Sequence, residues 1–220
     1  MGNRCINNYK GGAFLWLASL CALNSEAAFH LENIEDIVSR ENPRSVSDFM
    51  KSEKIPAFLR KNFLALKEST SVQAASVDCP RILIHNEDSS MVMSFNCGTL
   101  YADEEEEHSA SSLEIVQLNR ENGEYEAFSL HLTSQEAVIS DKNPELCLQC
   151  HAEDERPLTT PGKFWMTEKE KELFVKKLET WPESSEAKLR YKSLNWKQST
   201  SLESIKHAVQ KTWIRPWSKL

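Results

Sequence analysis

The chain has 220 residues, with 26 Lys and Arg against 33 Asp and Glu, a net charge of −7, and 40% hydrophobic residues. That is apolar material enough for a real core. The acidic balance excludes general nucleic-acid binding, which needs clustered Lys and Arg against phosphates, and otherwise reads as solubility.

The N-terminus has the pattern of a secretory signal, predicted over residues 1–27. Arg4 and Lys10 form a short basic stretch, an apolar run covers Ala13 to Leu23, and Ser25-Glu26-Ala27 supplies small residues for cleavage. The run is 11 residues long, well short of the roughly 20 that a spanning helix needs. Nothing later resembles a span, so no stable membrane insertion is expected after cleavage. Removal of the signal takes away two basic residues and one acidic one, moving the net charge from −7 to −8. The expected location is periplasmic or secreted, and bacterial. Four cysteines then remain, Cys79, Cys97, Cys147 and Cys150. In an oxidising compartment an even number suggests that all are committed.

In chain order, "IPAFLRKNFLALKEST" predicts a helix. Pro56 stands near its start, and Leu59, Phe63 and Leu66 fall at one-face spacing. Residues 80–140 then alternate with period two. "RILIH" (81–85) and "MVMSFNC" (91–97) flank a polar turn cluster, and "LEIVQLN" (113–119) and "EYEAFSLHL" (124–132) flank Asn122-Gly123, a strong hairpin signal. "EAVIS" (136–140) adds a possible fifth strand. Met91, Met93 and Phe95 are expected on one face, as are Phe128, Leu130 and Leu132. With the first hairpin centred on Asp88, residue 85 faces 91, 83 faces 93 and 81 faces 95. Cys79 then faces Cys97, at a separation that suits a disulfide. The acidic run Asp103 to Glu107 reads as a solvated loop.

After the sheet, Thr167 and Glu170 form a capping-box pattern ahead of "KELFVKKLETW", where Phe174, Leu178 and Trp181 share a face before Pro182. "LESIKHAVQKTWI" predicts a last helix. The fold class expected is α+β: an antiparallel sheet of four to five strands flanked by N- and C-terminal helices. Its domain is placed at 28–160, with residues 161–220 as a helical segment packing on or beside it.

The chemistry sits in "NPELCLQCHAEDERP" (143–157), which carries Cys147-x-x-Cys150-His151. Two thiols and an adjacent imidazole are what covalent attachment of a c-type haem requires, and export agrees with it. Structural zinc wants four protein ligands, and no second pair stands nearby. Thioredoxin-like chemistry places its cysteines at a helix start after a strand, whereas Pro144 precedes these in an apparent loop. A thiol–disulfide or structural disulfide site without haem stays open as an alternative.

The segment resembles the attachment sites of c-type cytochromes. More narrowly, residues 45–157 are similar to a little-characterised group of exported bacterial c-type cytochrome-like proteins with a single such motif. The likeness rests on "FLRKNFLALKESTSVQAAS", "CPRILI", "SFN", "SLEIVQLN" and "NPELCLQCHAEDERP". That group tends to have Gly after the motif His and a tryptophan soon after the Arg-Pro; this chain has Ala152 and delays its tryptophan to Trp165. The resemblance implies one covalent haem c, held by Cys147 and Cys150, with His151 as proximal iron ligand. Arg156 is a candidate partner for a haem propionate, since a guanidinium fork suits carboxylates.

The second axial ligand decides between electron transfer, gas binding and catalysis. Met166 leads the candidates narrowly, level with an open, five-coordinate iron, and Met91, Met93, His85, His108, His131 and His207 are the others. Met91 and Met93 are better read as sheet core, His131 as exposed or on the second face of the sheet, and His85 as a turn residue. All five tryptophans beyond the signal follow the motif, and they read as a helical core or a cover for the porphyrin. An electron carrier with an unidentified redox protein as partner is the leading role. A haem-based sensor or ligand-binding module with a PAS-like fold follows, and an enzyme comes last, for want of a distal base.

Overall fold

The computed structural model describes residues 29–68, 75–86, 90–98, 112–123, 125–144 and 165–199. Four helices and one antiparallel sheet make up these residues. Helix α1 (Leu31–Glu41) buries Ile34 and Ile37, one turn apart, and ends where Asn42 takes a left-handed φ of 45°. Helix α2 (Val46–Lys51) starts at Ser45, whose side chain accepts the Asp48 N–H. Six strands follow: β1 (Phe63–Leu66), β2 (Arg81–His85), β3 (Met91–Phe95), β4 (Ser112–Leu118), β5 (Tyr125–Leu132) and β6 (Ala137–Ile139). Each strand pairs with the next, so the spatial order is β1-β2-β3-β4-β5-β6. Helices α3 (Glu168–Glu179) and α4 (Glu186–Lys192) return to the sheet, followed by a 3₁₀ turn over Trp196–Gln198.

The α+β class, the antiparallel sheet and the five strands expected between residues 81 and 140 are present, with one strand more. The helix expected from Pro56 onward is not formed. Phe58 and Lys61 lie in a turn closed by the bond from Asn62 N–H to Phe58 O, and Phe63–Leu66 pairs with β2 instead. All four side chains of "FLAL" are buried, and alternation puts Phe63 and Leu66 on opposite faces of the sheet. A short apolar run buried on both sides has no period by which to tell it from a helix. Helices α1, α2 and α4 were not anticipated.

The register of the first hairpin also departs from expectation by one residue: Phe95 faces Ile82, not Arg81, and Met93 faces Ile84. Asn86 is the cause. Its backbone N–H donates to Met91 O and its side-chain oxygen accepts the Met91 N–H, so the loop closes one residue inside the predicted pair. The Cys79–Cys97 disulfide nevertheless forms, with Cα atoms 5.4 Å apart just beyond the paired strands. The second hairpin turns at Asn122-Gly123 as expected, with Gly123 at a φ of 74° that an L side chain rarely adopts.

One face of the sheet carries Phe63, Ile82, Ile84, Met91, Met93, Phe95, Ile115, Phe128 and Leu130. These form a single cluster with Ile34 and Ile37 of α1, Phe49 and Met50 of α2, Phe174 and Leu178 of α3 and Tyr191 of α4. Thr167 caps α3 through the anticipated capping box with Glu170. Phe174 packs against Tyr191 and Trp196 at ring distances of 5.0 and 5.1 Å, and Phe63 meets Trp196 at 5.2 Å. Residues 165–199 therefore share one core with the sheet. Polar anchors fix α4: the Tyr191 hydroxyl donates to Pro80 O, Arg190 donates to Asn96 O, and Glu186 accepts from Ser47 N–H and Oγ–H.

Candidate functional site

The sheet has a second face, turned away from the helices, and its residues follow from the register. His85 lies opposite Val92, Val92 opposite Val116, and Val116 opposite Ala127. Directly opposed residues share a face, so these four form one row across β2, β3, β4 and β5. A neighbouring row runs from Leu64 through Leu83 and Ser94 to Glu114. Leu64, Leu66, Val92 and Ala127 are buried, yet none belongs to the helix-side cluster. Arg81 forms an ion pair with Glu114 on this face and donates to Ser94 Oγ at 2.9 Å.

His85 differs from every other described histidine. It is 4% exposed, its Nδ1 lies 3.0 Å from Asn86 O, and its Nε2 is buried without a hydrogen-bond partner. A carbonyl only accepts, so the proton is on Nδ1 and Nε2 carries a free lone pair. Burial pushes the imidazole below its ordinary pKa of 6.5, outweighing the Asn86 carbonyl, which raises it. The ring is therefore neutral at pH 7. Reading His85 as a turn residue missed this. The available signal was its place in "RILIH", two residues after Leu83 on the same face.

The other sequence-derived candidates are distributed as follows. Cys79 and Cys97 are joined to each other. Met91, Met93 and Met166 are buried in the helix-side cluster, and the Met166 N–H donates to Ala65 O. His131 is exposed. Trp165 bridges to Leu66 at the outer edge of β1. Cys147, Cys150, His151, Arg156, His108, His207, the signal segment 1–27, the acidic run 103–107 and the expected last helix all lie outside the described residues.

The ends of the motif-bearing segment are nonetheless placed. Asn143 donates its backbone N–H to Ala127 O at the β5–β6 edge, and Pro144 follows. Trp165 lies beside β1 on the opposite edge. Among the described residues no three His, Cys, Asp or Glu side chains converge as a metal site, and no helix is long and apolar enough to cross a membrane. An open groove of about 520 Å³ on the helix side is lined by Arg60, Lys61, Leu178, Glu179 and Trp196, and no unpartnered buried group points to a ligand there.

A haem asks for an apolar seat, a nitrogen or sulfur ligand and a cation near its carboxylates. The second face presents Leu64, Leu83, Val92 and Val116 and an unpartnered neutral imidazole nitrogen, while Arg81 is held by Glu114 and Ser94 and is already neutralised. Compared with known proteins, the chain matches no protein-family model, no curated protein and no solved structure.

Proposed function

We propose that this is an exported mono-haem c-type cytochrome-like protein that transfers electrons. Cys147 and Cys150 hold the haem by thioethers, and His151 is the proximal iron ligand. The observation that carries the reading is the partnership of the remaining cysteines. Cys79 and Cys97 are spent on each other, so of the four cysteines beyond residue 27 only Cys147 and Cys150 are left, and His151 adjoins them. Each thiol adds across a vinyl group, the sulfur taking one vinyl carbon and the proton the other, so attachment needs both thiols reduced. When bound, the haem supplies one-electron exchange at its iron. The chain contributes the covalent tether, the imidazole and, through Arg156, a cation for a propionate.

The test is a haem-stained denaturing gel of the exported chain, co-expressed with cytochrome c maturation machinery, with Cys147→Ala/Cys150→Ala as control. Stain that survives denaturation in the parent and disappears in the control is the expected result. An unstained parent, with a known cytochrome maturing in the same cells, removes the haem reading. His151→Ala is expected to keep the thioethers and lose the parent spectrum.

A further inference from the structure

We infer that the open groove between the start of β1 and the end of α3 is a docking site for an acidic segment of a partner protein that also carries apolar side chains. The inference does not rest on the haem reading and goes beyond it.

The first support is charge. The whole chain has a net charge of −7, yet Arg60, Lys61, Lys192 and Lys197 line this groove against a single carboxylate, Glu179. Among the described residues Lys197 has no partner, and the Arg60 side chain meets only carbonyls, Met50 O at 3.0 Å and Ser52 O at 3.1 Å. Those bonds orient the guanidinium without neutralising it, and they use two of its five N–H donors. Lys192 shares Glu183 with Lys188, so one carboxylate serves two ammonium groups. A cationic groove on an acidic molecule concentrates the local field and steers negative groups toward it.

The second support is that the binding groups are already held in place. Arg60 is fixed from both sides: its carbonyl accepts the Asn195 N–H at 2.8 Å, while its side chain holds the end of α2. Trp196 donates its indole N–H to Tyr191 O and packs against Phe63 and Phe174 at ring distances of 5.2 and 5.1 Å. It is only partly buried, so it offers apolar area to the groove. Trp and Arg are the residue types that carry most of the energy in protein interfaces. Ordering them in advance spares that cost on binding.

The third support is shape. The groove holds about 520 Å³ and is open to solvent. A small ligand needs about 70–90% of its surface covered, which an open groove does not give, whereas a protein segment brings its own cover. The C-terminal sequence of this chain has the wrong sign for the site, with Lys206, Lys211, Arg215 and Lys219 against Glu203.

The experiment uses the full chain and a synthetic peptide of glutamate and leucine carrying an uncharged dye. Two counterpart peptides have glutamine or lysine in place of glutamate. Fluorescence anisotropy is read for the parent, Lys197→Glu, Glu179→Gln and Lys169→Glu. The last makes the same charge change at an exposed position in the first turn of α3, at the other end of that helix from the groove. The glutamate peptide should bind the parent, and more weakly as salt rises; the glutamine and lysine peptides should not bind. Lys197→Glu should weaken binding about tenfold, chiefly through the on-rate, and Glu179→Gln should tighten it about twofold. Lys169→Glu should match the parent. A parent that does not bind the glutamate peptide overturns the inference. So does a loss in Lys169→Glu equal to that in Lys197→Glu, which is attraction to charge in general. Equal binding of the glutamine peptide also overturns it, since the groove would then have no preference of sign. Sedimentation of the parent alone tests a second copy as occupant, offering its acidic run Asp103 to Glu107. Self-association that Lys197→Glu abolishes overturns the partner in favour of that copy. Each of these outcomes leaves the haem stain, and the reading it tests, untouched.

Discussion

On its helix side the sheet presents Ile82, Ile84, Met93, Phe95, Ile115 and Leu130, each fully buried beneath four helices. On the other side Leu64, Leu83, Val92 and Val116 alternate with groups that hydrocarbon does not satisfy, namely His85 and the Arg81–Ser94–Glu114 cluster. The first surface is closed on itself, and its stability comes from burial and packing. The second mixes apolar area with an imidazole nitrogen that has no partner, which a partner of the right chemistry would complete. The two faces thus differ in how completely their groups are satisfied, and they should respond differently to substitution.

The largest expected effect compares them directly. Phe174→Ala empties a site packed against Tyr191, Trp181 and Trp196 and should cost about 3–5 kcal/mol. Denaturant unfolding should give the same loss in the parent and in the Cys147→Ala/Cys150→Ala background. Leu64→Ala removes a buried side chain from the second face and should cost about 2–4 kcal/mol; a larger loss in the parent than in the Cys147→Ala/Cys150→Ala background would place the proposed haem against this face. A ligand bound only to the native state adds to its stability, and a damaged seat forfeits part of that gain. Equal losses in both backgrounds for Leu64→Ala would separate the haem from this face.

Next comes the disulfide. Cys79 and Cys97 belong to the helix-side cluster and are 18 residues apart. Pro80 and Asn96, their neighbours, are the residues that Tyr191 and Arg190 hold from α4. Cys79→Ser/Cys97→Ser should therefore loosen α4 and cost about 3 kcal/mol. On the proposed haem reading the spectrum should not move, because the bond lies in the helix-side cluster. A spectrum that changed with it would mean that the two faces are coupled.

Alternation made β2 to β5 readable, because Met91, Met93 and Phe95 or Phe128, Leu130 and Leu132 declare one face at every second residue. Thr167 and Glu170 declared the start of α3 through their spacing. The disulfide was anticipated from a register wrong by one, and it survives because its cysteines stand beyond the paired strands, where the chain has room to adjust. The register itself turned on the side chain of Asn86, which mimics backbone and shortens the loop; no alternation pattern shows that. Strand β1 was hidden because Leu64 and Phe63 are both buried, one on each face. The same fact concealed the second face. Its row of His85, Val92, Val116 and Ala127 exists only after four strands are paired, so no single stretch of sequence contains it.

The smallest expected effect lies where the two faces meet. The chain passes β1 at Trp165, the Met166 N–H binds Ala65 O, and α3 begins at once. Lys67, the residue after β1, reaches Glu170 at 2.8 Å. This hydrogen bond, and next the Thr167 N–H, lower the Glu170 carboxyl from 4.5 to about 2. A carboxyl depressed in the folded state stabilises it above the unfolded pKa, and that contribution is lost as pH falls through the folded value. The window is therefore from about 4.5 down to about 2. Glu170 is a quarter exposed, so solvent screening limits the gain. Glu170→Gln should cost about 1 kcal/mol at neutral pH, since the capping box is weakened as well. Its stability should also fall less steeply than the parent's across that acid window. Denaturant midpoints at neutral pH and near pH 3 read both effects. A parallel acid decline in the two proteins would assign the edge's stability to packing of Trp165 and Met166 in place of the ion pair. If the proposed haem is present, a shift of its spectrum in Glu170→Gln would show instead that changes at this edge reach it.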